Sequence, residues 1–202
     1  MPTAPVMTLM IYMKEMFYGL AIGLAASLMF HAFEAAGAMV DNQRGAAQAR
    51  LLIPALAAES SIFGNFNYLF GIAIFLSLGG HVVFLKAVID SYELLPILEF
   101  PKSQPNVMLM MGEMMKMSGY VLVLALQLTA PILITIFIAD VVMAVMNKAA
   151  PSIHVWELGF IMRGVLGVLM YFFASGLISE QMGKYSFQMI QQVKQVIRLL
   201  AQ

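Results

Sequence analysis

The sequence has no cysteine, which excludes disulfides, thiolate metal sites and cysteine nucleophiles. Charge is scarce: 11% of the 202 residues are Asp, Glu, Lys or Arg, against about 25% in soluble domains. The hydrophobic share is 61%, against roughly 45–50%, and a soluble fold does not fit that balance. Net charge is zero, and Lys and Arg are too sparse and scattered for a nucleic-acid track. The three histidines, His31, His81 and His154, lack metal-ligand spacing. No phosphate-cradling glycine loop, Gly-x-Ser-x-Gly elbow or carboxylate pair is visible, so nothing supports an enzyme or a cofactor. The opening MPTAPVMTLMIYMKEMFYG has no basic stretch followed by a small-residue cleavage site, so it does not read as a signal peptide.

What the chain does have is long charge-free runs, at residues 16–33, 60–85, 117–139 and 164–179. A helix crossing a bilayer needs about 20 mainly apolar residues; the second and third runs suffice with room for tilt, and the fourth is short. No period-two alternation suggests a barrel. The expected fold is all-α, a multi-pass membrane protein of long, kinked helical hairpins packed inside a larger helical assembly. A single domain is expected, with helices at 1–40, 61–95, 106–150 and 151–179, a loop at 41–60, a proline-rich turn at 96–105 and an amphipathic tail at 180–202. In that tail Phe187, Ile190, Val193, Ile197 and Leu200 recur every three or four residues. Pro54 interrupts any helix across the first loop, and Pro151 breaks the chain before the fourth helix.

The charges interrupt apolar helices. Lys14, Glu15, Glu34, Lys86, Asp90, Glu113, Lys116, Asp140 and Arg163 lie at the margins of the runs or between them. A charge at mid-bilayer costs a few kcal/mol or more, so these residues should face protein or water. Asp140 follows the uncharged run 117–139 and reads either as a proton-coupling acid or as one half of a salt bridge to a neighbouring helix. Pro131 upstream can kink that helix and free carbonyls that need a partner. Gly19 and Gly23 form a G-x-x-x-G, which lets helices approach closely, within the chain or at a subunit interface. Gly80, His81 and Gly159 are candidate helix-packing positions, with His81 expected to hydrogen-bond within such a site. The segment VMLMMGEMMKM at 107–117 carries six methionines. It reads as a deformable seal, or as a core-facing helix with a Glu113–Lys116 pair.

The densest polar cluster is AMVDNQRGAAQAR at 38–50. In one reading Asp41 and Arg44 pair at a helix end that Gly45 terminates in the left-handed conformation. In the other a polar loop at membrane depth lines a water-filled cavity or is buried in protein.

In order, the blocks GLAIGLAASLMFHAFEAAGAMVDNQRG, NFNYLFGIAIFLSLGGHVVFLKAVIDSYELLP and TAPILITIFIADVVMAVMNKAAPSIHVWELGF resemble the T component of bacterial type III secretion export gates, the SctT/FliR family. The resemblance covers about residues 10–173, and the DNQRG form looks like the injectisome branch. Typical members carry further hydrophobic helices ahead of the block at 7–33, and this chain reads as lacking them. The resemblance implies a noncatalytic subunit in the bacterial inner membrane at the base of a secretion system. There it would join multiple copies of the R and S components, the U component and other apparatus proteins, in contact with membrane lipid, around a closed channel for unfolded substrate proteins. It also implies a plug matching residues 42–60, rooted at Asp41, Asn42, Gln43, Arg44, Gly45 and Arg50, with Leu51, Leu52, Ile53, Pro54 and Leu56 filling the lumen. The rival expectation is a small-solute or proton-coupled transporter using Asp140 and Glu34, although the inverted repeats such a protein often has are not visible. Lys184, Lys194 and Arg198 favour a cytoplasmic tail.

Overall fold

The computed structural model describes residues 5–46, 61–98, 107–150 and 155–201. They form five helices: α1 (Pro5–Gln43), α2 (Ile62–Ser77), α3 (Gly80–Leu94), α4 (Val107–Ala149) and α5 (Val155–Ala201). Three helical stretches, Pro5–Gln43, Met108–Ala149 and Leu158–Leu200, are long and apolar enough to cross a membrane; α2 with α3 makes a fourth if the bent pair is one span. The fold is thus the expected all-α, multi-pass class.

Helix boundaries depart from the sequence expectation in three places, each for a local reason. First, α1 continues through Asp41, Asn42 and Gln43, because its last turn is closed by Arg44 N donating to Val40 O at 2.9 Å. It stops at Gly45, whose φ of 101° only glycine adopts without strain. Second, the stretch 61–95 is two helices bent by 76°. Gly79, at φ 72°, supplies the left-handed residue that lets the chain turn, and its carbonyl accepts from Val82 N at 3.0 Å to start α3. Third, the fourth helix and the tail are one element, α5. No proline lies within it, and Glu180 and Lys184 stand one turn apart in the favourable orientation for an acid preceding a base. Pro131 lies inside α4, where it removes one backbone donor.

The chain divides into two compact units. One comprises Met1–Phe30, Ala73–Val121 and Gly183–Gln202. Its core takes Tyr18, Ile22, Ala25 and Met29 from α1, Ala87 from α3, Met110 and Met117 from α4, and Met189, Ile190, Val193, Val196, Ile197 and Leu200 from α5. The amphipathic stripe expected in the tail is therefore the buried face, except that Phe187 is exposed and Ser186 is buried in its stead. Lys14 is nearly buried and satisfied there: its ammonium pairs with Glu15 at 3.0 Å and donates to the carbonyls of Pro96 and Ile97 just beyond α3. The other unit comprises His31–Ile72 and Leu122–Met182. It buries Phe33, Ala36 and Val40 of α1, Asn67 of α2, Leu128, Ile132 and Ile136 of α4, and Ala174 and Ile178 of α5.

Glycine sets the closest helix approaches in the second unit. A Cβ on Gly37 would stand 2.1 Å from the carbonyl oxygen of Phe63, and one on Gly71 would stand 2.3 Å from the Phe33 ring. The Gly37 contact is with backbone, which has no rotamer by which to yield. The Gly19 and Gly23 pair behaves differently, since a Cβ on either meets nothing within 4 Å. Accordingly, Gly37→Ala should lower stability by about 1–3 kcal/mol through overpacking, whereas Gly19→Ala should leave it unchanged or slightly raised. Thermal unfolding of the two variants in mild detergent checks this, and equal midpoints would contradict the packing account.

Candidate functional site: a polar clasp between two helices

The start of α2 needs acceptors, because the first backbone N–H groups of a helix have no partner within it. Ser61 is placed to cap them. Its carbonyl accepts from Asn65 N at 2.9 Å, and its hydroxyl oxygen accepts from Gly64 N at 2.9 Å. The next free donor, Phe63 N, gives its hydrogen to Asp41 Oδ2 at 2.8 Å, and the Ser61 hydroxyl donates to the same oxygen at 2.6 Å. Asp41 belongs to the last turn of α1 and is 5% exposed. A buried carboxylate at a helix N-terminus is favoured by the partial positive charge there, and here its other oxygen accepts from Arg44 Nη1 at 3.2 Å.

Arg44 completes the arrangement. Its guanidinium lies over the Phe63 ring at 4.7 Å, a cation–π distance. Its stem passes over Gly167 of α5, where a Cβ would come within 2.4 Å of Arg44 Cγ. Arg44 Nε is buried without a hydrogen-bond partner. The helix-end reading of DNQRG thus describes Asp41, Arg44 and Gly45 as they stand, while Asn42 and Gln43 are exposed. The clasp joins the residues that bracket positions 47–60. Arg50, Leu51, Leu52, Ile53, Pro54 and Leu56, like Pro151, lie outside the described residues.

Several other charged groups of the long helices are paired. Asp140 of α4 accepts from Arg163 Nε of α5 at 2.6 Å; it is the interhelical salt bridge that was one of its two expected roles. Glu34 pairs with His31 at 3.1 Å on an exposed face of α1. The two acids of the rival transporter expectation therefore have separate partners. Glu113 and Lys116 pair at 2.7 Å. Gly159 lies against Met143 Sδ of α4, 3.1 Å from where its Cβ would be. Gly80 abuts the Phe75 ring, but His81, one residue on, is exposed and makes no hydrogen bond with any described residue. Successive helical side chains point about 100° apart, so burying Gly80 turns His81 outward. Among the described residues no group of three or more His, Asp or Glu side chains stands together as metal ligands.

Sequence reasoning missed one buried pair in the same unit. Tyr171 of α5 donates its hydroxyl hydrogen to Asn67 Oδ1 of α2, and both residues are buried. The Tyr171 ring also lies 4.7 Å from that of Phe63. The available signal was Asn67 itself, a carboxamide inside a charge-free run, which must find a partner away from water.

The family model described as bacterial export proteins, family 1, matches residues 1–189. The chain is 36% identical over 159 residues to Yop proteins translocation protein T of Yersinia pestis, covering 78% of this chain and 59% of that protein. It is 27% identical over 165 residues to the surface presentation of antigens protein SpaR of Shigella flexneri, covering 82% and 62%. It is 24% identical over 163 residues to the flagellar biosynthetic protein FliR of Bacillus subtilis, covering 78% and 60%. The chain thus spans about three fifths of the length of the curated relatives it matches.

Removing the clasp acceptor leaves a half-buried guanidinium and two donors without their acceptor, so Asp41→Ala should cost about 2–3 kcal/mol and Ser61→Ala about 1 kcal/mol, read as unfolding midpoints in detergent. A loss no larger for Asp41→Ala than for Ser61→Ala would deny the carboxylate its central place. For the second pair, Arg163→Ala should destabilise the protein, and the exchange Asp140→Arg with Arg163→Asp should recover most of that loss. Failure of the exchange to recover stability would mean that the contact is not a simple ion pair.

Proposed function

The chain belongs to the bacterial export proteins, family 1, and we propose that it is a noncatalytic subunit of a type III protein export apparatus in the bacterial inner membrane. Its place there is in the closed channel through which unfolded substrate proteins pass. The higher identity to the Yersinia translocation protein, 36%, than to the flagellar protein of Bacillus subtilis, 24%, fits the injectisome-like branch. The R and S components in multiple copies, the U component and other apparatus proteins are its partners, and membrane lipid surrounds the assembly.

The observation that carries the reading is the clasp. Asp41 holds the end of α1 to the start of α2 through Ser61 and Phe63, so the two helix ends that bracket the apolar sequence LLIPALAA are held together. That is what a plug needs: fixed roots in a protein interior, with a sequence between them able to fill a lumen. Gly19 and Gly23 support membership of an assembly. They keep an open, small-residue face on α1, and such a face is the surface on which another helix packs closely in a membrane. Phe172, Phe173, Ile134 and Phe137 are also exposed, which requires lipid or protein around them. The transporter reading loses support because both of its acids are paired, Asp140 with Arg163 and Glu34 with His31.

Expressed with the other gate components and purified in mild detergent, the chain should copurify with small hydrophobic partner proteins; isolation alone or as a homo-oligomer would refute the assignment. Deleting residues 48–58 should leave the assembled gate leaky to small ions, and an unchanged, tight membrane would refute the plug.

A further inference from the structure

In the unit that contains the end of α5, one face of that helix is set apart by its chemistry. Gln188, Gln191, Gln192 and Gln195 border a cleft of about 410 Å³ whose opposite wall is Glu113, Lys116, Met117 and Tyr120 of α4. The volume is within the range of small-ligand sites, roughly 300–1,000 Å³. None of the four carboxamides makes a hydrogen bond to any described residue, although each offers two donors and an acceptor with two lone pairs. The charges in the lining cancel, because Lys116 Nζ donates to Glu113 Oε1 at 2.7 Å. The cleft is therefore rich in hydrogen-bonding capacity and carries no net charge.

We propose that this cleft binds the backbone of an extended polypeptide through the Gln188, Gln191, Gln192 and Gln195 carboxamides. A carboxamide presents the same donor and acceptor as a peptide group, so it pairs with backbone N–H and C=O whatever the side chains are. The spacing fits. Gln188 with Gln192, and Gln191 with Gln195, are four residues apart, which is about 6 Å along a helix axis. An extended chain presents backbone groups on the same side every two residues, about 6.6 Å. The small difference is within the reach of a flexible glutamine.

The same chemistry selects against other occupants. A helical partner has its backbone groups bonded internally and offers nothing to these amides. A charged ligand gains no net field from a neutral cleft. The residue pattern behind the face is equally specific: Met189, Ile190, Val193, Val196 and Ile197 are buried on the other side of the helix, so the amides stay outside the core. The inference rests on the export reading, in which the passing chain is unfolded and varied in sequence, with only its backbone in common.

The test uses the whole chain in nanodiscs of neutral lipid and a fluorescent, short, uncharged peptide of Ser, Thr and Ala. A counterpart N-methylated at alternate residues keeps the side chains and removes half of the backbone donors. The unmodified peptide should bind with little dependence on salt. The methylated one should bind at least about tenfold more weakly, the loss expected of two or three neutral hydrogen bonds. Replacing Gln188, Gln192 and Gln195 together by Leu should give a similar loss with an unchanged unfolding midpoint, and Phe173→Ala should leave binding intact. Equal binding of both peptides, no binding of either, or indifference to the triple substitution would each overturn the proposal. Copurification with gate components is measured separately, so the cleft can fail while the export reading stands, or the reverse.

Discussion

One carboxylate organises the most polar part of this membrane chain. Asp41 sits at the end of a 39-residue helix, where it accepts from a serine hydroxyl, a backbone N–H and an arginine. Each of these donors would be costly to leave unpaired away from water. The arrangement is reciprocal. The carboxylate needs donors because it is buried, and α2 needs an acceptor because the first backbone N–H groups of a helix have no partner within it. Arg44 balances the charge and covers Phe63, and Gly167 leaves room for its stem.

The same economy of polar groups runs through the helices. Asp140 meets Arg163, Lys14 meets Glu15 and two carbonyls, and Asn67 meets the Tyr171 hydroxyl. These pairs let long apolar helices carry charge and amide groups, which are expensive when isolated in apolar surroundings. Against that background, unpartnered carboxamides at the end of α5 and an open glycine face on α1 stand out as surfaces reserved for contacts beyond this chain.

Glycine divides into two kinds here, which the sequence does not distinguish. Gly37 and Gly71 are pressed against backbone and ring, while a Cβ on Gly19 or Gly23, which carry the recognisable spacing, would meet nothing within 4 Å. A motif says that helices are able to approach closely at that point. Which helix does so depends on the partner that arrives, and in the second unit that partner is α2 meeting the face of α1 that carries Ala32, Phe33, Ala36 and Gly37.

Composition and run length by themselves determined an all-helical, membrane-embedded class, because backbone groups in hydrocarbon must be bonded within their own segment. They also determined the local pairs: Asp41 with Arg44 and Glu113 with Lys116 are three residues apart, and helix geometry alone brings such side chains together. The left-handed glycine after DNQR was legible for the same reason. Only the tertiary structure decided the rest. Ser61 and Phe63 lie some twenty residues from Asp41, and Tyr171 lies 104 positions from Asn67; no periodicity links such residues. The outward turn of His81 follows from burying Gly80 against Phe75, whereas the bend at Gly79 and the continuity of α5 through Glu180 rest on local features that the sequence already carries. Local spacing fixes what a helix is able to present, and packing fixes what that presentation finds.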